Sequence, residues 1–282
     1  MFSNEDISRY YDLSEIHYRR VWQLDKSRSL HYGYWDHSTK TLHDALLKIN
    51  AVMADLAEIK QTDRVLDAGC GIGGSSAWLA KHLGCHVVGI SLNQKQVDKA
   101  NEFAKRWALD ANLVFEKRDY NHTNFTAASF DVIWGIESIC YAGDKTAFLV
   151  EAKRLLRPGG RIIVADFFKK ENLNQYEALL VKQWERGWAV NQFATKEEFE
   201  NGLKHAGFTE LKILDITQNI FPSAKKLYRS WFTGSIGARI YKLFNSQASE
   251  LGRNNVANAR LQYKTLKQGL WKYLLFEAVN GD

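Results

Sequence analysis

The stretch Arg64-Val-Leu-Asp-Ala-Gly-Cys-Gly-Ile-Gly-Gly74 restricts the possible folds of this chain more than any other segment. Val65 and Leu66 read as the end of a buried strand, Asp67 and Gly69 open a turn, and Ser75 to His82 reads as helix. Glycine has no Cβ and tolerates positive φ. A loop carrying Gly69, Gly71, Gly73 and Gly74 therefore lets a ligand approach the backbone and the N-terminus of the next helix. The Gly69-x-Gly71-x-Gly73 spacing is one residue tighter than the G-x-G-x-x-G dinucleotide fingerprint, although Gly74 satisfies that fingerprint too. A strand-to-helix turn with no ligand would use the same glycines, so the loop alone does not decide function.

The strand tips that follow narrow the choice. His86–Ile90 predicts a second strand, ending in Ser91-Leu92-Asn93-Gln94-Lys95-Gln96 and a helix through about Trp107. An α/β nucleotide site reads the ribose hydroxyls about 20 residues past its glycines. A nicotinamide enzyme places Asp or Glu there. This chain has Ser91 and Asn93, with Gln96 one turn into the helix, which donate and accept hydrogen bonds without charge. A third strand, Leu113–Arg118, ends in Asp119-Tyr120, where Asp119 suits an exocyclic adenine amine. Phe130–Trp134 is a fourth strand and Gly160–Ala165 a fifth, after the helix stop Arg157-Pro158-Gly159. Polar groups at successive strand C-termini put a ligand in the crevice beyond the carboxyl edge of a doubly wound sheet.

With these pieces the chain resembles the class I S-adenosylmethionine-dependent methyltransferases. The resemblance rests on Leu66–Gly73, Asp119, Phe130–Trp134 and Leu155–Gly160, and covers about residues 60–168. Ser29–Trp35 is similar to the segment before the cofactor domain in tocopherol, sterol and related small-molecule methyltransferases. Trp134–Tyr141 is similar to the segment after the fourth strand of sterol methyltransferases, where Ile-Glu is followed by Cys-His. The Ser91-Leu-x-x-x-Gln96 tip looks like that of the tocopherol and cyclopropane-synthase branch. The resemblance implies S-adenosyl-L-methionine as cofactor, held by Tyr32, Asp67, Gly69, Gly71, Gly73, Ser91, Leu92, Gln96, Asp119, Tyr120 and Gly135. It also implies a seven-stranded, mostly parallel sheet with the last strand antiparallel beside the sixth.

Length and composition fit one catalytic domain. The 282 residues are 45% hydrophobic and 13% aromatic, enough for a full core. No run approaches the roughly 18 apolar residues of a membrane span, and Asn4-Glu-Asp6 is no signal peptide. Cys70, Cys85 and Cys140 lack paired spacing, and none of His17, His37, His43, His82, His86, His122 and His205 forms a metal spacing. The expectation is a cytoplasmic protein without a metal. Net charge is +6, but residues 221–272 alone carry +9 and the remainder −3. Within that window Ile236, Ile240, Leu243 and Phe244 fall at helical spacing, as do Leu227, Tyr228, Trp231 and Phe232. A solvated helix face explains the charge; contact with a membrane surface, an anionic substrate or RNA would explain it too.

The expected organisation is a helical N-terminal cap over 1–59, a cofactor-binding core over 60–168, and the remaining strands over 169–282 (Glu210–Ile216 and Tyr273–Val279). Thr195-Lys-Glu-Glu starts a helix that Gly207 ends. Insertions near 169–194 and 218–270 would lie over the strand tips as a lid. Aromatic candidates for that lid are Tyr10, Tyr11, Trp22, Tyr32, Tyr34, Trp35, Trp184, Trp188, Phe193 and Trp231, each of which would serve equally well in a core.

Methyl transfer from a sulfonium is an in-line displacement, so the protein mainly aligns the reactants and excludes water, a route worth about 7–11 kcal/mol. Glu137, just past the fourth strand, faces the place of the acceptor. It would be a general base or orienter for a hydroxyl, phenol or amine, and a fixed negative charge for an alkene. A capping or solvated glutamate is the plain alternative. Tyr141 stands where the family has His, and is a better hydrogen-bond donor than base. His31 is a second base candidate or a satisfied structural group. Cys140 and Asp166 would line the pocket. The expected activity is methylation of a small, largely apolar acceptor: a prenylated quinol or chromanol, a sterol or isoprenoid, or an alkaloid-like amine. Alternatives are a cyclopropane-forming lipid enzyme, an RNA methyltransferase, a nicotinamide oxidoreductase and a silent cofactor-binding protein. Acceptor atom and oligomeric state stay open.

Overall fold

Runs of β-branched and aromatic residues alternate with capped amphipathic helices along the chain, and this alternation builds a sheet with helices on both faces. The computed structural model describes residues 2–21, 24–229 and 250–281; the side chains of 13–21, 25, 26 and 250–257 lie outside that description. Seven strands form one sheet: β1 (Arg64–Ala68), β2 (His86–Ser91), β3 (Leu113–Lys117), β4 (Phe130–Ile136), β5 (Leu156–Lys169), β6 (Phe208–Asp215) and β7 (Trp271–Asn280). Their order is β3-β2-β1-β4-β5-β7-β6. The first five strands pair in parallel. β7 runs antiparallel to both neighbours and fills the space between β5 and β6. This is the doubly wound, mostly parallel sheet that the resemblance implies.

The helices are α1 (Asn4–Val21), α2 (Leu24–Ser27), α3 (Leu42–Leu56), α4 (Gly74–Leu83), α5 (Gln94–Arg106), α6 (Lys145–Leu155), α7 (Gln175–Gly187), α8 (Lys196–His205), α9 over 217–229, and α10 (Glu250–Lys267). Adjacent strand residues point to opposite faces. Val65, Val87, Val132 and Ile163 pack with α3, α4 and α5, whereas Leu66, Val88, Ile133 and Ile162 pack with α6 and α8. Reciprocal side-chain caps set several helix starts. Ser3 and Asp6 exchange bonds at the start of α1, and Thr195 and Glu198 do so at α8, where the sequence predicts a helix start.

One boundary differs from expectation. The Arg157-Pro158-Gly159 stop does end α6, but β5 begins at Leu156, which pairs with Phe130 before a register shift to the Val132–Arg161 pair. The shift accommodates the turn residues inside the strand as a bulge.

The strand order puts a switch point between β1 and β4, whose neighbours lie on opposite sides, and opens a crevice at their carboxyl ends. Residues 28–35, α7, α9 and α10 gather beside it. Gly33 donates its N–H to Ser223 Oγ at 3.0 Å, Trp35 N–H to the Asn219 carbonyl at 2.9 Å, and Tyr32 O–H to Gln262 at 2.8 Å. Beneath them, Phe167 near the end of β5 meets Tyr32, Trp184, Trp188, Phe193, Trp271 and Tyr273 at ring-centroid distances of 5.3–5.7 Å. Trp184 and Phe193 are fully buried in this cluster and pack as core residues. Trp22 and Trp231 lie outside the described residues, as do Phe232, Ile236, Arg239, Ile240, Lys242, Leu243 and Phe244 of the basic window. The described lysines of that window, including Lys225, Lys226, Lys264 and Lys267, are exposed. Among the described residues no helix is long and apolar enough to cross a membrane.

Candidate active site

The crevice at the switch point contains a cavity open to solvent. Its floor is the glycine loop between β1 and α4, and the four glycines there have different causes. A Cβ on Gly69 would collide with Ser138, one on Gly73 with the Phe115 ring, and one on Gly74 with the Arg28 carbonyl. Gly71, at φ 55°, is the member of the loop whose Cβ would enter open space. Packing thus accounts for Gly69, Gly73 and Gly74, while Gly71 presents bare backbone to the cavity.

Asp67 ends β1 under this loop, buried, with one carboxylate oxygen accepting the Ser76 hydroxyl at 2.5 Å. Burial pushes its carboxyl up to about 7 against the lowering effect of that bond. At the tip of β2, Ser91 Oγ donates to Gln96 Oε1 at 2.9 Å and accepts the Asn93 N–H at 3.1 Å. The bond consumes the acceptor of Gln96 and leaves its amide donors for the cavity that Gln96 and Leu92 line. Asn93 is engaged elsewhere. It caps α5 through the Gln96 N–H and donates to the Ser8 carbonyl and Asp12, tying α1 across the cavity's rim. At the tip of β3, Tyr120 lines the cavity and donates its O–H to the Ser138 carbonyl at 3.0 Å.

Glu137 follows β4 in a left-handed conformation, φ 48°, with its N–H on the Ala165 carbonyl at 2.8 Å. Such a φ is costly for a residue with a Cβ and holds the side chain out of the strand direction. Oε1 accepts two hydrogen bonds, from the Tyr32 N–H at 2.6 Å and the Tyr273 O–H at 2.8 Å. Oε2 accepts none from the described residues, and Glu137 lines the cavity. Burial raises its carboxyl to about 8; the two donors pull it down, and the charge of Asp166 pushes it up. A carboxylate of this kind can take up a proton near neutral pH.

His31, Tyr141 and Tyr11 complete the same wall, the two tyrosine rings 5.6 Å apart. His31 is buried, with Nδ1 2.9 Å from the Tyr32 carbonyl and Nε2 3.4 Å from Ser75 Oγ. The carbonyl accepts only, so Nδ1 carries the hydrogen and Nε2 receives the serine hydroxyl. Burial lowers the imidazole to about 4. The ring is neutral and satisfied on both nitrogens.

Four of the expected cofactor residues do not line the cavity. Gly73 and Gly135 face packed side chains, Phe115 for the first and Ile139 for the second. Tyr32 is buried with its hydroxyl on Gln262, and reaches the site through its N–H on Glu137. Asp119 accepts from Asn4 at 2.8 Å and from the Asn121 N–H at 2.8 Å, so its oxygens close a turn and hold α1. Asp166 and Cys140 likewise turn inward, the Asp166 carboxylate accepting the N–H groups of Cys140 and Phe167. Conversely, Ile7, Ser8, Ser29, Arg118 and Ser138 line the cavity and were not anticipated. Ser29 in the Ser29–Trp35 segment, Arg118 at the third strand's tip and Ser138 beside Glu137 carried a sequence signal.

A methyltransferase-domain family profile matches residues 59–225, more than half of the chain. The 27-O-demethylrifamycin SV methyltransferase of Amycolatopsis mediterranei is 32% identical over 221 residues, spanning 78% of this chain and 80% of that protein. The chain belongs to the S-adenosylmethionine-dependent methyltransferases. The chloroplastic tocopherol O-methyltransferase of Arabidopsis thaliana is 27% identical over 247 residues, 80% of this chain and 69% of that one. A solved geranyl diphosphate methyltransferase shares the fold at a TM-score of 0.78 and 20% identity, covering 98% of this chain and 99% of its own. The cavity of this chain fits the cofactor: Gly71 offers open backbone at a helix N-terminus, and the β2 tip offers uncharged polar groups.

Proposed function

We propose that this methyltransferase transfers a methyl group to a hydroxyl oxygen of a largely apolar small molecule, with Glu137 as general base. The observation that carries the reading is the Glu137 carboxylate, clamped at Oε1, accepting no hydrogen bond at Oε2 from the described residues, in a residue that lines the cavity. An oxygen nucleophile has a proton to lose, and a buried carboxylate raised to about 8 is suited to take it. Two relatives named for action on oxygen support this choice, those acting on rifamycin and tocopherol. The apolar part of the acceptor is supported by Ile7, Leu30, Ile136 and the Tyr11 and Tyr141 rings on the wall.

S-adenosylmethionine, when bound, supplies a methyl on a positively charged sulfur that departs as a neutral thioether. The residues that would hold it are Asp67, Gly69, Gly71, Ser91, Leu92, Gln96 and Tyr120. Glu137 accepts the acceptor's proton, whose bonding pair stays on the oxygen that forms the new carbon–oxygen bond. Tyr141 orients the acceptor as a donor and, with Tyr11, excludes water. His31 fixes the backbone at Tyr32 and stays neutral. We take 1–282 as one catalytic domain whose cap is 1–59 with the insertions near 169–194 and 218–270.

The test is incubation with methyl-labelled cofactor and a set of phenolic and alcoholic isoprenoids and polyketides, followed by proton NMR of the labelled product. A new O-methyl singlet is expected. A C-methyl or N-methyl product, or a cyclopropane ring, would overturn the choice of acceptor, and label in RNA would overturn the small-molecule reading.

A further inference from the structure

Glu137 is held from both ends of the chain. Tyr32 precedes α3 and Tyr273 lies on β7, yet both donate to the same carboxylate oxygen. Building on the general-base reading above, we propose that Tyr273 and the Tyr32 N–H form a clamp on Oε1 that makes Oε2 the atom receiving the acceptor's proton, with Tyr273 a positioning residue. A carboxylate oxygen has two in-plane lone pairs, and both on Oε1 are filled at 2.6 and 2.8 Å. A proton arriving at Oε1 would have to expel a buried donor. At Oε2 it displaces no donor among the described residues, and Glu137 lines the cavity.

Tyr273 is itself tightly placed. Its N–H donates to Thr217 Oγ1 at 3.0 Å, it pairs with Phe167 across the β5–β7 ladder, and its ring stands edge-on to Phe167 at 5.3 Å. Burial and the facing carboxylates push the phenol well above its ordinary value, so the O–H stays a donor. Asp166 on β5 faces Glu137 with like charge. Cys140, in the turn after β4, also faces it, with Lys145 at the start of α6 behind Cys140, while neutral His31 and Tyr141 stand on the cavity side. In the transfer the acceptor's O–H bond breaks, its electron pair stays on the acceptor oxygen, the proton joins Oε2, and the carboxylate becomes neutral. The clamp strengthens as the carboxylate is charged and weakens when it is not, so it sets the pH at which the base is available.

The experiment compares wild type with Tyr273→Phe and with 3-fluorotyrosine at position 273, which keeps the ring and makes the hydroxyl a stronger donor. Two readouts are used: the pH at which kcat/KM half-rises, and the carboxyl titration of carbon-13-labelled Glu137 in the cofactor-free protein, assigned against Glu137→Gln. Tyr273→Phe should move both upward by about one pH unit, and 3-fluorotyrosine should move both downward. Unmoved titrations in both variants overturn the clamp. If Tyr273→Phe fails to fold, the fluorinated protein decides by the direction of its shift. Wild-type turnover in Glu137→Gln would instead overturn the general-base reading, leaving the NMR titration to judge the clamp separately.

Discussion

Replacing Glu137 by Gln separates the cost of the buried acid from its use. Gln keeps Oε1, so the Tyr32 N–H and the Tyr273 O–H retain their acceptor. What it removes is the ionisation. The carboxyl rises from 4.5 in the unfolded chain to about 8 in the folded protein. Between those values the folded state binds more protons than the unfolded state, so the residue's effect on stability is least adverse below pH 4.5 and grows more adverse as pH climbs to 8. At about 1.36 kcal/mol per pH unit, the full penalty is on the order of 3–5 kcal/mol above pH 8. Glu137→Gln escapes it. Denaturant unfolding of both proteins at pH 5, 7 and 9 should therefore show nearly equal stabilities at pH 5 and a variant more stable by about 3–5 kcal/mol at pH 9. Turnover above pH 8 should fall about 10²- to 10⁴-fold, the range for loss of a general base, and the gap should narrow as pH falls and the wild-type carboxyl takes up its proton. A stability difference that stays constant from pH 5 to 9 would refute the claim that this carboxyl is charged only at a cost.

The glycine loop predicts two contrasting outcomes. Gly73→Ala drives a Cβ into the Phe115 ring at φ 85°, and should cost about 2–4 kcal/mol by thermal or chemical unfolding. Gly71→Ala meets no protein atom, so its stability should drop by only about 1–2 kcal/mol while calorimetric affinity for S-adenosylhomocysteine falls at least about tenfold. Asn93→Ala removes the α5 cap together with the bonds to Ser8 and Asp12. It should cost about 1–2 kcal/mol and speed amide hydrogen exchange in α1. His31, lowered to about 4, binds fewer protons folded than unfolded between that value and 6.5. Its contribution is complete above pH 6.5 and lost as pH falls toward 4, about 3 kcal/mol in all. The His31 ring-carbon NMR signal should accordingly stay flat from pH 5 to 8, and a midpoint near 6.5 would contradict its burial.

Local chemistry was readable along the chain. Five parallel strands, their polar tips, the helix start at Thr195 and the cavity-facing glycine loop all follow from residues within a few positions of one another, because side-chain alternation, caps and positive φ are set by neighbours. Glu137 was recognisable for the same reason, as the acid just beyond a buried strand. The sequence could not distinguish which glycines serve a ligand and which serve packing. Gly71 and Gly73 read alike until Phe115, on another strand, is placed over one of them. Asp119 looked free at a strand tip, but α1 brings Asn4 onto it. For the aromatic run from Trp184 to Phe193 the sequence could not name the packing partners, which are Phe167 of β5 and Trp271 of β7. Above all, the insertion of β7 between β5 and β6 carries Tyr273 to a carboxylate 136 residues earlier. Strand order and register create such partnerships, and they are products of the whole packed core, which no short window of residues contains.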